Sequence, residues 1–190
     1  MYPPGSGTFV TVDDLSGGLC GVSRPTHFRG VATVVSILFN QVEPDVAVFG
    51  CKDFQQLRVI ERMTADLGFP IEIVGGPIAR ERDGLAMSSR NAYLTDPQRA
   101  QAPALRRALL WAVEAAAAGT VDASDLLHGI RRRIEEQPLS QIDYVELVDA
   151  DDLQPLEGVV DRVARAAVAV RFGQTRLIDN VPLGPGAPAP

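Results

Sequence analysis

Between His27 and Val42 the apolar residues Val31, Val34, Val35, Leu38 and Val42 recur at helical spacing. They line one face of a predicted helix, which the Glu43-Pro44 pair stops. Val46 to Phe49 is a short apolar run, expected to be a buried strand. Gly50 to Asp53 then turns the chain into a second helix. Its stripe is Leu57, Ile60, Met63 and Leu67, and Asp53 and Gln56 have capping-box spacing. Gly68-Phe69-Pro70 ends it, and Ile71 to Val74 reads as the next strand, closed by Gly75-Gly76-Pro77. Strand, helix and strand within about thirty residues make a βαβ unit, which implies a parallel sheet with a right-handed crossover. In such sheets ligands gather at the carboxyl ends of the strands. Ahead of this unit, Tyr2 to Pro25 is rich in Gly, Pro, Ser and Asp, and only Thr8 to Val12 has strand character.

After Pro77 the pattern changes. Arg80 to Asn91 is polar and contains glycine, a loop by composition. Thr95-Asp96-Pro97-Gln98 has capping-box spacing and opens an Ala-rich helix expected to run to about Ala118. A further helix covers Ser124 to Glu136, with Leu126, Ile130 and Ile134 on one face. Ile142 to Val148, Val163 to Phe172 and Arg176 to Val181 are expected strands. Helices followed by strands predict a small α+β domain. The expected divisions are residues 1–78, residues 79–183 and an unstructured Gly- and Pro-rich tail over 184–190, its composition starting at Leu183.

The 190 residues are 46% hydrophobic and 22% charged, which is globular composition. Eighteen Lys and Arg against 24 Asp and Glu leave a net charge of -6, which argues against a general nucleic-acid or anionic-membrane partner. Any anion site must therefore be local. Apolar stretches such as Ala164 to Val170 are too short to span a bilayer, and Met1-Tyr-Pro-Pro lacks the features of a signal peptide, so a soluble cytoplasmic protein is expected. Cys20 and Cys51 lack CxxC spacing, and the only histidines are His27 and His128. A disulfide scaffold or zinc site is not expected, and no metal ligand is assigned. His128 reads as structural or exposed.

Lys52 is the single lysine among the 18 basic residues, a choice that matters where a compact ammonium is wanted. Gly50-Cys51-Lys52-Asp53 lies where strand becomes helix, so backbone N–H groups, the helix dipole and an ammonium could together hold a phosphate. The same residues also fit a capped helix with a solvated lysine. Met87-Ser88-Ser89-Arg90-Asn91 offers two hydroxyls, a guanidinium and an amide that suit a polyphosphate, or else a polar linker between domains.

Three stretches carry a family resemblance: Arg24-Pro-Thr-His-Phe-Arg-Gly-Val, Phe49-Gly-Cys-Lys-Asp-Phe-Gln-Gln-Leu and Asp83-Gly-Leu-Ala-Met-Ser-Ser-Arg-Asn-Ala-Tyr-Leu. In this order they resemble segments of the pantoate-beta-alanine ligases, and the likeness extends nearly to Leu183. The resemblance implies an incomplete Rossmann-like nucleotidyl-transferase (adenylylation) domain, α/β in class, followed by a small α+β C-terminal domain. It implies ATP as co-substrate with bound Mg²⁺, and pantoate and β-alanine as the small-molecule partners.

By the same resemblance Gly50, Cys51, Lys52 and Asp53 would contact ATP, with Ala79 and Met87 at nucleotide-contacting positions. Lys52, Ser88, Ser89 and Arg90 would be the catalytic set, the last three on a loop over the triphosphate. Gln56 matches the pantoate-binding glutamine, and Arg24 and His27 lie near the active site, where His27 could equally orient its helix. Cys51 stands where the family usually has an acidic residue. The family's N-terminal stretch, with its PTMGxLHxGH-type histidines, has no counterpart in these residues, so little ligase activity is expected of this chain alone. The family homodimer, built largely through that N-terminal domain, is in turn not expected to form here in the usual way. Two other readings stay open: a non-catalytic remnant or partner-binding fragment, and a nucleotidyl transferase acting on another acid.

Overall fold

The amphipathic stretch from His27 forms the helix its spacing predicts. In the computed structural model, which describes residues 1–119 and 122–190, a short α1 (Cys20–Ser23) precedes α2 (His27–Val42), and Glu43 turns the chain with a left-handed backbone. Strand β1 (Val46–Gly50), a 3-10 turn (Cys51–Asp53), α3 (Phe54–Asp66) and β2 (Glu72–Gly76) follow. β1 and β2 pair in parallel with Val48 opposite Val74 and Gly50 opposite Gly76. The chain divides into two units, Met1–Pro77 and Ile78–Pro190.

In the first unit α2 and α3 pack on each other and α3 covers one face of the strand pair. Phe39 of α2 meets Phe49 of β1 edge-on, with ring centroids 6.4 Å apart. Because side chains alternate along a strand, Val46 and Val48 fall on the opposite face and are 49% and 67% exposed, not buried as expected. Thr8 to Val12 forms no strand. The Val10 N–H instead donates to Thr33 Oγ1 on α2 at 2.9 Å, so this segment is held by a helix side chain and not by a sheet edge. Leu57, Ile60 and Met63 are buried, whereas Leu67 lies beyond the end of α3 and is exposed. The expected Asp53 cap is absent: Asp53 ends the 3-10 turn with a backbone outside the extended region usual for a capping residue, and its side chain makes no cap bond to α3.

Gln55 fastens the N-terminal segment to α3. Its Oε1 accepts the Cys20 N–H at 3.0 Å, and its Nε2 donates to Leu15 O at 2.9 Å and Gly18 O at 2.8 Å. A buried amide that satisfies three backbone groups leaves all of them wanting when it is removed. Gln55→Leu is therefore expected to ease local opening of residues 15–21 by about 2 kcal/mol, which makes Cys20 amide exchange about thirtyfold faster. Unchanged exchange at Cys20 would show that the clamp holds nothing.

The second unit is built from α4 (Asp96–Gln101), α5 (Ala104–Ala117), α6 (Ala123–Glu135) and an antiparallel sheet in the order β3 (Ser140–Asp149), β4 (Ala164–Phe172), β5 (Thr175–Leu183). The α/β unit followed by an α+β unit is the class expected from the sequence. The Ala-rich helix is not continuous, however. Pro103 has no N–H to continue the ladder, so α4 ends at Gln101 with Ala102 as its cap and the chain restarts as α5 at Ala104. Gln98 Oε1 accepts the Thr95 N–H at 3.1 Å, as the capping spacing predicted. Leu105 and Leu109 of α5 and Leu126, Ile130 and Ile134 of α6 pack against Val145, Val168, Val170 and Phe172. Leu183, placed in the tail by composition, ends β5 and is buried. Among the described residues no helix is long and apolar enough to cross a membrane.

Candidate active site

In the first unit the candidate residues sit at the carboxyl end of a parallel strand pair. β1 ends at Gly50 and β2 at the registered Gly76, so the rim carries no side chain on either strand. A Cβ placed on Gly50 would meet nothing within 4 Å, which leaves open space at that edge. Gly75 is closely approached: a Cβ there would stand 3.0 Å from Cys51 Sγ and 3.2 Å from Leu57 Cδ2, tight contacts to which those side chains would have to yield. Cys51 and Lys52 are half-buried in the 3-10 turn and Asp53 is exposed. The turn leads into α3, thirteen residues long, whose first N–H groups receive no bond from the Asp53 side chain. Backbone donors, the positive end of the α3 dipole and the Lys52 ammonium thus belong to one short segment, a combination suited to an anion.

Gln56 follows the inward-facing Gln55 on α3 and is half-buried. Arg24 closes α1 and is exposed. His27 is the first residue of α2; its backbone N–H donates to Arg24 O at 3.0 Å and its ring lies 4.9 Å from that of Phe28.

In the second unit the segment expected to be a loop is a tight hairpin. Met87 N–H donates to Ala79 O at 2.9 Å, Glu81 N–H to Leu85 O at 2.8 Å, and Arg80 bridges to Ala86. Gly84, with φ of +87°, makes the turn in a backbone region that side chains avoid. Leu85 and Ala86 are buried and tie the hairpin to the core. A second 3-10 turn, Ser89–Tyr93, follows at once, and the Ser88 hydroxyl accepts the Arg90 N–H at 3.2 Å. Ser89 and Arg90 are exposed, as are Ala79 and Met87, whereas Ser88 is half-buried.

Several polar residues that shape this hairpin escaped the sequence reading. Glu81 accepts from Asn91 Nδ2 at 2.6 Å and from Arg99 Nη2 at 2.5 Å, and Asp83 accepts from Arg99 Nη1 at 2.6 Å. The Asn91 and Arg99 bonds hold the Glu81 carboxyl below its usual range, and Arg99 does the same for Asp83. Arg80 donates two bonds to Asp179 on β5, at 2.8 and 3.0 Å, and a third to Gly84 O at 3.0 Å. Partners sixteen to ninety-nine residues apart leave no periodic signal. The charged pairs Glu81–Arg99 and Arg80–Asp179 could not be read from spacing. His128 is exposed on α6, with Nδ1 2.8 Å from Ser124 O.

Comparison with known proteins bears on both units. The pantothenate synthetase of Moorella thermoacetica is 54% identical over 183 residues, covering 96% of this chain and 64% of that protein. That of Syntrophotalea carbinolica is 53% identical over 180 residues, with coverages of 95% and 63%. The chain therefore spans a little under two thirds of the length of these curated relatives. Among solved structures, pantothenate synthetase from Thermus thermophilus superposes with a TM-score of 0.92 at 47% identity, over 97% of this chain and 67% of that one. A pantoate-beta-alanine ligase from Francisella tularensis, complexed with beta-gamma ATP and beta-alanine, has a TM-score of 0.69 at 27% identity, with coverages of 94% and 59%. The model of the pantoate-beta-alanine ligases matches residues 1–182. Since that match runs through both units and takes in the Arg24, Phe49 and Asp83 motifs alike, the chain belongs to the pantoate-beta-alanine ligase family.

Proposed function

We propose that this chain carries the ATP- and pantoate-binding residues of an AMP-forming ligase that joins pantoate to β-alanine. The pantoate carboxylate attacks the α-phosphorus of ATP and displaces pyrophosphate, giving pantoyl adenylate. The β-alanine amine then attacks the acyl carbon, AMP leaves, and the amine loses its proton as pantothenate forms. No covalent enzyme intermediate is needed.

The demand on the protein is electrostatic, because a carboxylate must approach a polyanion. A fixed cation at the reacting phosphate lowers that repulsion most where water is scarce. The observation that carries the reading is the half-buried Lys52 between the glycine end of β1 and the start of α3. Gly50, Cys51 and Asp53 line the same nucleotide site. Gln56 supplies an amide that can donate to and accept from pantoate. Ser88, Ser89 and Arg90 bind the triphosphate from the loop after the hairpin, with Ala79 and Met87 at nucleotide-contacting positions. Arg24 and His27 support the site from a neighbouring segment, His27 by orienting α2. Mg²⁺ enters with the ATP phosphates as part of the substrate. In this reading residues 1–78 bind ATP and pantoate, residues 79–183 close over them as a lid, and the reaction runs in the cytoplasm.

Pyrophosphate release from ATP with pantoate tests the reading. The chain alone is expected to stay near background. Adding the part of the Moorella relative that this chain does not cover, as a separate polypeptide, is expected to raise the rate well above either part. No stimulation, or stimulation with another hydroxy acid in preference to pantoate, would overturn it.

A further inference from the structure

The hairpin that leads to Ser88, Ser89 and Arg90 is anchored by apolar packing just after its Gly84 turn, where Leu85 and Ala86 are buried, but Met87 and Tyr93 beyond them are 56% and 75% exposed. The segment from Met87 to Asn91 is tied back by polar bonds. Asn91 spends one amide group on two acceptors, Glu81 Oε1 at 2.6 Å and Ala86 O at 3.2 Å, and so ties the segment after Arg90 to the strand before Met87. Asn91 Oδ1 is buried with no partner among the described residues, so the amide is oriented by what it donates. Arg99, from α4, spreads its fork over both carboxylates on the other limb, Nη2 to Glu81 and Nη1 to Asp83. A lysine could not span the two with one planar group.

We propose that Glu81, Asn91 and Arg99 are positioning residues that hold Ser88, Ser89 and Arg90 in the arrangement presented to the nucleotide phosphates. The proposal rests on the ligase reading, because it is ATP that the loop would meet. None of the three is assigned a contact with the nucleotide. They act through the backbone: Asn91 N–H donates to Ser88 O at 3.0 Å, Arg90 N–H to the Ser88 hydroxyl, and Met87 N–H to Ala79 O. A phosphate-binding loop held in shape before binding loses less freedom on closure, so its affinity should depend on the clamp.

Hydrogen exchange on the full 190-residue chain tests this in two arms, using Glu81→Gln, Arg99→Met, Arg99→Lys and, as control, Asp143→Asn, which breaks the Asp143–Arg176 pair between β3 and β5. Without nucleotide, Glu81→Gln and Arg99→Met are expected to speed exchange at Met87, Arg90 and Asn91 at least about tenfold while β4 amides stay as they were. The control should leave the loop unchanged. With Mg²⁺ and ATP in the millimolar range, the wild-type loop is expected to become protected. The concentration for half protection should rise at least about fivefold in the two variants, with Arg99→Lys between them and wild type. Loop exchange that does not change, or β4 exchange that rises in step, makes these residues general staples and overturns the proposal. A loosened loop with an unaltered ATP midpoint overturns the positioning role alone. Absence of ATP protection in the wild type overturns the nucleotide reading and this role with it.

Discussion

Lys52→Ala is expected to lower pantoate-dependent pyrophosphate release by about a hundredfold to a thousandfold, the cost of removing one preorganised charge from a developing transition state. The measurement is made on the chain complemented with the part of the Moorella relative that it does not cover. Lys52→Arg should recover little of the loss. The guanidinium keeps the charge but is longer and planar, and it cannot take the place of a compact ammonium between Gly50 and α3. The thermal midpoint should scarcely move in either variant, since the side chain is only half-buried and lies outside the stripe of Leu57, Ile60 and Met63. A rate within about threefold of wild type for Lys52→Ala would remove this residue from the proposed chemistry, because a hydrogen bond to a charged group is worth more than that factor.

Asp179→Ala is expected to destabilise the second unit by about 3 kcal/mol, a fall in Tm of about 10 °C by circular dichroism. Strand alternation puts Asp179 on the same face of β5 as Leu177 and Val181, which belong to the apolar core. Its side chain is 2% exposed and that of Arg80 18%, so the pair exchanges its bonds in a poorly hydrated place. A second guanidinium shares the carboxylate's field. Burial, with Arg80 adding to it, pushes Arg106 below its usual range, and Asp179 acts in the opposite direction. Removing Asp179 therefore leaves two half-buried guanidinium groups, Arg80 and Arg106, without the anion that offsets both, and one nitrogen of Arg106 already has no hydrogen-bond partner among the described residues. Replacing both partners, Arg80→Met with Asp179→Leu, should cost less than Asp179→Ala alone, since no unpaired carboxylate or Arg80 charge remains. A Tm loss of less than about 2 °C for Asp179→Ala would mean that water reaches the pair freely.

The contrast between these two residues follows from how each could be seen. Lys52 stood out in the sequence because it is the only lysine and lies between a strand and a helix. Asp179 had no such mark. It lies in the expected strand Arg176 to Val181 with no local motif around it, and its partner is ninety-nine residues away. The same distinction separates Gln56, picked out by a local motif, from Gln55 beside it, whose three bonds go to a segment thirty-five to forty residues earlier.

Local chemistry determined what depends on a few neighbouring residues: α2, α3 and α6 from apolar spacing, the Thr95 start from its capping pair, the parallel strand pair from the βαβ order, and the motifs that mark the family. Even locally, Pro103 was decisive and went unread, because a missing N–H outweighs a run of alanines. Tertiary structure alone decided which face of β1 is covered, what became of Thr8 to Val12, and which distant charges meet around the hairpin. Those outcomes depend on which surfaces pack and which buried charges find partners, and both are settled by three-dimensional proximity that no periodicity in the chain records.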